Sequence, residues 1–503
     1  MPEYLYPGVY VEEIDTGNKP IEGVSTSTVG FLGVAERGPE APQLVTSFGD
    51  YVRAFGRYID GGNGVAPRYL TYAVEGFFTN GGKRCFIQRV FAPDGVAATG
   101  TFGTLTVMAA GRGEWGNRVG VQIIQHTQNN TFDIAVSYFT TPIVPNTHQK
   151  AQVTEVFSEL STDPLLSSFC ERQINDISDL ITVTSTGPAL PDVTGATDAP
   201  VALTTGVDGS TLVLGDFLGD PADPPGQKRG LDAFTENDEI SLLCCPDEYA
   251  FGDKSIQTEI IAQCENMMDR FAILSSVSAA PKPGDHTIDY NSKYAAYYYP
   301  WLYVINPVTG KKVLVPPGGH VAGIYARSDD EIGVHKDPAN EIIRGIDSLQ
   351  LLITDQQQAL LNPIGINVLR YFKGAGNLVW GGRTTTTDPD WKYINVRRLF
   401  IFVEKSIQRS TQWVVFGIND EPLWARVRRS VSDFLTRLWI DGMLQGKTKE
   451  EAYFVRCDRT TMTQADIDNG KLICLIGIAP VKPAEFVIFR IGQWDGGSSV
   501  QEG

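Results

Sequence analysis

Five histidines, His126, His148, His286, His320 and His335, are the side chains best suited to move protons or hold a metal near neutral pH. No two stand at the H-x-x-x-H spacing that sets two imidazoles on one helical face, so no metal site is expected. His320 follows Pro316-Pro317-Gly318-Gly319. Glycine-rich backbone beside an imidazole could make a catalytic corner, but a structural loop histidine is the simpler reading. Gly446-Lys447-Thr448 comes nearest to a phosphate loop. The glycine needed five residues before Gly446 is replaced by Asp441, and Gly442 stands one residue too close. The segment reads instead as a helix end, with Gly446 past the last turn and Lys447 near its negative pole. Gly374-Ala375-Gly376-Asn377-Leu378-Val379 lacks the third glycine of a dinucleotide loop, and no G-x-S-x-G elbow is present.

The remaining candidates are equally plain. Asp208, Asp216, Asp220 and Asp223 lack the alternate-position pattern of a calcium loop and read as a solvated stretch. The carboxylate pairs Glu12-Glu13, Asp329-Asp330 and Glu450-Glu451 have no pocket attached to them in sequence. Seven cysteines (Cys85, Cys170, Cys244, Cys245, Cys264, Cys457 and Cys474) are odd in number and form no C-x-x-C, and most sit in apolar runs. That pattern predicts reduced, buried thiols in a protein made in a cytoplasm. Expected, therefore, are no catalytic residue, no cofactor and no metal.

One cluster points to binding. In 421–444, Leu423, Val427, Val431, Phe434, Leu435 and Leu438 line one helical face, while Arg426, Arg429 and Arg437 fall outside that stripe. Such arginines either meet an acidic protein partner or form a solvated face. A phosphate backbone is disfavoured, because 59 Asp plus Glu against 42 Lys plus Arg leave a net charge of −17. No nucleic-acid partner is expected.

The elements that would position these residues follow from patterning. The 503 residues suit two to four domains, with ordinary hydrophobic (42%) and charged (20%) content. The start, Met1-Pro2-Glu3-Tyr4-Leu5, has neither the basic nor the apolar region of a signal peptide, and no run of 18 uncharged apolar residues suggests membrane insertion. Residues 8–14 read as a short strand without a hairpin partner, followed by a polar arm to about Gly23. Segments 27–35, 67–80 and 85–90 read as strand, helix, strand. From about 92 to 238 the chain turns Thr-, Ser-, Gly- and Asp-rich with short β-type runs (119–125, 132–139) and a loop-rich 216–230. Strands are expected at 239–245 and 271–276 around a helix at 255–269, then long loops over 279–340. Helices are expected at 340–361, 395–412 and 421–444, and strands at 472–478 and 486–491. A strand at either end of the chain pairs within its own domain or with a neighbour.

Several segments together resemble the phage tail sheath family. Near the start these are Tyr6-Pro7-Gly8-Val9-Tyr10-Val11-Glu12-Glu13-Ile14, Ser27-Thr28-Val29-Gly30-Phe31-Leu32-Gly33, Phe78-Thr79-Asn80-Gly81-Gly82 and Glu114-Trp115-Gly116-Asn117. In the middle they are Tyr298-Tyr299-Pro300-Trp301-Leu302, the run 315–327 around Pro316-Pro317-Gly318-Gly319-His320, and Gly333-Val334-His335-Lys336-Asp337-Pro338-Ala339-Asn340. Leu361-Asn362-Pro363-Ile364-Gly365-Ile366-Asn367 and Asn395-Val396-Arg397-Arg398-Leu399-Phe400 follow. The strongest are the run 457–470, beginning Cys457-Asp458-Arg459-Thr460-Thr461, and Ala479-Pro480-Val481-Lys482-Pro483-Ala484-Glu485-Phe486.

The resemblance implies an α/β (α+β) multi-domain fold with a discontinuous core, an inserted mostly-β peripheral domain and terminal strands exchanged between subunits. The implied division is an N-terminal exchange arm (1–23), core (24–91), insertion (92–238), core again (239–362), a tube-facing inner domain (363–485) and a C-terminal exchange strand and tail (486–503). It implies a structural, non-enzymatic subunit stacked as six-fold rings around an inner tube, with baseplate and terminal cap proteins as further partners. Contraction of such a sheath drives the tube through a target envelope. The particle would be assembled in the bacterial cytoplasm as a virion tail or a released particle. The exchange strands would carry Val9, Tyr10, Val11, Glu12 and Ile14 at one end and Phe486, Val487, Ile488, Phe489 and Ile491 at the other. The helix bearing Arg426, Arg429 and Arg437 would face the tube. A hydrolase on an α/β core and a tail tube or capsid protein are the competing readings, and the sequence does not separate a virion from a bacteriocin-like particle or an extracellular injection system.

Overall fold

The computed structural model describes residues 20–59, 68–144, 149–175, 177–194, 200–277 and 282–488. Its centre is a nine-stranded mixed sheet. Six strands run parallel: Ile366–Phe372, Ala295–Tyr299, Phe271–Ser275, Leu242–Cys244, Val29–Gly33 and Cys85–Arg89, in that spatial order. Antiparallel strands close both edges, Gln43–Val45 at one and Gly376–Trp380 with Glu341–Ile342 at the other. The five central-sheet strands from 29 to 299 other than the edge strand are buried at every position, as parallel strands covered on both faces must be. Helices Leu70–Thr79, Ser255–Met267 and Gly318–Glu331 supply the cover.

The helix Gly318–Glu331 falls where long loops were expected over 279–340, and that stretch also holds the strands Ala295–Tyr299, Leu302–Ile305 and Lys312–Val315. Positions 318–328 of the helix are all buried, so there is no polar stripe to give a helical period. Its glycines explain the close packing. A Cβ on Gly319 would lie 2.3 Å from the Ala73 carbonyl oxygen, and one on Gly323 would lie 2.4 Å from that of Phe77. The expected helix over 340–361 is also corrected. Strands Glu341–Ile342 and Ser348–Leu349 flank Gly345, whose φ of +77° favours glycine, and only Asp355–Leu361 is helical.

A second core lies between residues 98 and 203. Val119–His126, Thr131–Tyr138 and Val153–Leu160 form an antiparallel sheet with Val201–Ala202, beside a three-stranded sheet of Thr99–Phe102, Leu105–Ala109 and Ile181–Ser185. Phe132, Ile134, Val136 and Tyr138 alternate inward as a one-sided strand requires. The stretch expected as loop at 216–230 begins in a short helix, Leu214–Leu218, and a 3-10 segment follows at Gly230–Glu236. Phe217, Leu231 and Phe234 from these join the main core rather than the second one.

The last third packs two long helices, Ile394–Ser410 and Glu421–Ile440, around Leu399, Val403, Val427, Val431, Phe434, Leu435 and Leu438. Each such buried side chain contributes roughly 1.5–3 kcal/mol. Asp420 caps the second helix by accepting from the Leu423 N–H, with Pro422 in its first turn. The helix ends at Asp441 and Gly442 (φ +77°), so Gly446 does not mark its end. Thr448 instead opens the short helix Lys449–Ala452. Strands Tyr453–Arg456 and Leu475–Ile478 then form a two-stranded antiparallel sheet.

Candidate functional site

Among the described residues, several that could have carried chemistry are occupied structurally. His320 lies in the first turn of the buried helix, not in a loop, pressed against Gly76. Burial lowers its pKa to about 4 and keeps the ring neutral. Asp208 accepts from the Glu114 N–H, Asp216 from Val213, Asp220 from Ala222, and Asp223 pairs with Arg229. Among the described residues no group of three His, Cys, Asp or Glu could hold a metal. No described helix is long and apolar enough to cross a membrane.

What the fold does build is a pair of anchored roots for the two chain ends, both on the helix Ile394–Ser410. At its C-terminal end, Ser410 Oγ accepts from the Glu22 N–H at 3.2 Å and Ser406 Oγ from Val24 at 3.1 Å. Ile21 is buried in the helix-pair core, and its carbonyl takes a 2.7 Å bond from Arg437. Arg398 forms a bidentate pair with Asp329 (2.9 and 2.6 Å) and also donates to the Thr26 carbonyl. Both side chains of the pair are almost wholly buried. Removing one partner of such a pair costs about 3–5 kcal/mol.

At the start of the same helix, Asn395 donates to the Val481 carbonyl at 3.1 Å. Glu485 is held by Arg383 (2.6 Å), Asn362 (2.8 Å), Tyr393 (3.1 Å) and Lys392 (3.3 Å). Burial pushes its pKa up, but the bonds from Arg383 and Asn362 and the Arg383 and Lys392 charges outweigh burial, leaving it at about 2. From residue 395 to 410 the two roots stand about 22 Å apart along the helix. Beside Glu485 is a cleft of about 830 Å³ lined by Asp337, Trp380, Arg383 and Phe486, among others. Asp337 is buried there with neither carboxylate oxygen bonded, and burial raises its pKa to about 8. Neither anchor was evident in sequence, since the partners of Glu485 and Arg398 are distant in the chain.

Beyond Glu485, Phe486, Val487 and Ile488 belong to no strand of this chain and are 71%, 67% and 78% exposed. Phe489 and Ile491, like Val9, Tyr10, Val11, Glu12 and Ile14, lie outside the described residues. The three arginines differ. Arg426, Arg429 and Arg437 share the outward face of Glu421–Ile440. Arg426 stacks on Trp413, 5.6 Å from its ring centre, whereas Arg437 is committed to Ile21.

The phage tail sheath protein central domain matches residues 221–385, and the phage tail sheath C-terminal domain matches 386–493. The tail sheath protein of Vibrio phage KVP40 is 26% identical over 214 residues, 41% of this chain but only 31% of that longer protein. A chain of the anti-feeding prophage (AFP) baseplate, determined with six-fold symmetry, superposes with a TM-score of 0.59 at 25% identity, covering 97% of this chain and 99% of that one. A chain of the AFP helical sheath in its contracted state gives 0.58 at 25% identity, covering 97% and 99%. Matched over 221–493, more than half of its 503 residues, the chain belongs to the phage tail sheath family.

Proposed function

We propose that this protein is the structural subunit of a contractile sheath, in a phage tail or a related injection particle, and that it is not an enzyme. In this reading copies stack as six-fold rings around an inner tube, with baseplate and cap proteins at the ends. Contraction drives the tube through a target envelope. The single observation that carries the reading is the arrangement of the chain ends. Both leave from rigid roots on one helix, and one continues into exposed apolar residues unpaired within this chain.

The two-stranded sheet of Tyr453–Arg456 and Leu475–Ile478 is the receiver. Among the described residues its strands pair only with each other, and two strands alone are marginal in water. Open edges accept strands from other chains. Two arms from neighbouring copies, carrying residues 9–14 and 486–491, would complete it. Ladder bonds across chains would then keep subunits linked while rigid bodies turn. The domain division given above from the resemblance is retained as part of this proposal. Arg426 and Arg429 remain candidates for an acidic surface on the tube.

The test is negative-stain electron microscopy of the purified chain beside a variant lacking residues 1–15. Hollow striated cylinders from the first and only short or dispersed material from the second, still folded by circular dichroism, are expected. Cylinders of equal length from both would remove the arm assignment.

A further inference from the structure

We infer that Cys457 and Cys474 form a cross-strand dithiol that closes to a disulfide by exchange with a small disulfide, stapling the two-stranded sheet. The argument begins with register. Tyr453 pairs with Ile478, Phe454 with Gly477, Val455 with Ile476 and Arg456 with Leu475. One step further sets Cys457 opposite Cys474. The Ala479 N–H donates to the Ala452 carbonyl, which makes 452/479 a hydrogen-bonded pair. Alternation then makes 454/477 and 456/475 hydrogen-bonded, and 453/478, 455/476 and 457/474 non-hydrogen-bonded. Non-hydrogen-bonded partners stand about 4.5 Å apart at Cα, within the range of about 4.4–6.8 Å that a disulfide spans.

Side-chain placement agrees with the register. Val455, Cys474 and Ile476 all pack inward, while Phe454 and Leu475 of the other face are exposed. The neighbouring Cys474 thiol and the nearby Arg428 guanidinium lower the Cys457 pKa against the opposing effect of burial. Arg428 itself is fixed by donating to the Cys457 carbonyl. Cys457 is fully buried, and Cys474 is partly open to solvent. Of the seven cysteines only Cys474 is not buried.

The step balances as follows. The first proton leaves Cys457, and as the more open Cys474 sulfur attacks a small disulfide RSSR its own proton passes to the Cys457 sulfur, so that RS⁻ is released and a mixed disulfide forms on Cys474. The Cys457 thiol gives its proton to the released thiolate, and its sulfur attacks the Cys474 sulfur, expelling the second RS⁻, which takes up the proton first lost. Two protein thiols and RSSR become one protein disulfide and two RSH. The closed loop would run from 457 to 474 and include the segment that opens with the Thr463 capping box. This inference stands on register and side-chain placement and does not depend on the sheath reading.

The experiment uses the full-length chain and oxidised glutathione as the probe, followed by alkylation, non-reducing peptide mapping and thiol titration after denaturation. The expected result is a loss of two thiols from the seven of the chain, with a single linked peptide joining 457 to 474. Cys457→Ser should stop at a glutathione adduct on Cys474. Cys474→Ser should react with neither. Both serine variants keep the size of the side chain, and circular dichroism verifies their fold. An unchanged thiol titre in the native protein, a linkage between other cysteines, or a Cys457→Ser variant that still loses two thiols would overturn the inference.

Discussion

Replacing Glu485 by Gln should loosen the root of the C-terminal segment without unfolding the protein. The folded carboxylate has a pKa near 2 against an ordinary 4.5. At about 1.4 kcal/mol per unit, that difference sets a ceiling of ~3 kcal/mol on its charged interactions, and screening at this part-exposed site brings it to ~2 kcal/mol. The amide side chain keeps the shape but loses the pairing with Arg383 and Lys392. An opening cost reduced by ~2 kcal/mol raises the open population about 30-fold. The readout is amide hydrogen exchange at Val481 and Gln445, whose N–H groups donate to Met443 and Ala479. The sign with pH is fixed. A carboxylate of depressed pKa contributes stability above about pH 4.5 and loses it as pH falls through about 2. Wild type and variant should therefore differ at pH 6 and converge near pH 2. Equal exchange at pH 6, or a difference that persists at pH 2, would refute the reasoning.

Further outcomes follow from other residues. Asp337 is the opposite case, with its folded pKa raised from 3.8 to about 8. It lowers stability progressively as pH rises from about 4 to about 8, so Asp337→Asn should raise the melting temperature by a few degrees at pH 8 and leave it unchanged near pH 4. A scan at both pH values checks this. Replacing Arg426 and Arg429 together by Glu should weaken co-assembly with the tube protein while tube-free polymerisation and melting temperature stay the same; sedimentation of the two mixtures measures it. Arg437→Glu should behave differently, lowering stability by about 1–3 kcal/mol through loss of its charged bond to the Ile21 carbonyl. Urea titration of the variant distinguishes the two classes.

Much of the fold was legible because its segments have clear periods. The apolar strands at 29–33 and 242–244, the largely apolar strand at 271–275 and the amphipathic helices at 255–267, 394–410 and 421–440 stand where patterning puts them. The helix Gly318–Glu331 was hidden because its positions 318–328 are enclosed on every side, with Gly319 and Gly323 lying directly against Leu70–Thr79. The expectation at 340–361 failed because Ile346, Leu349 and Ile353 recur at helical spacing while packing against the main core from non-helical backbone. A better signal was present: Thr354 and Gln357 form the capping box that starts the real helix. The anchors of Glu485 and Arg398 join residues about 70 to more than 120 positions apart, and no local pattern announces such pairs. The cysteine pair could have been found by extending the strand pairing outward from 453–456 and 475–478.

The most direct test of the sheath account is a cryo-electron-microscopy reconstruction of the assembled protein, fine enough to trace the backbone around Tyr453–Arg456 and Leu475–Ile478. The account predicts four strands there, two of them residues 9–14 and 486–491 of neighbouring copies. A sheet that remains two-stranded in the assembly, or arms that fold back onto their own subunit, would contradict it.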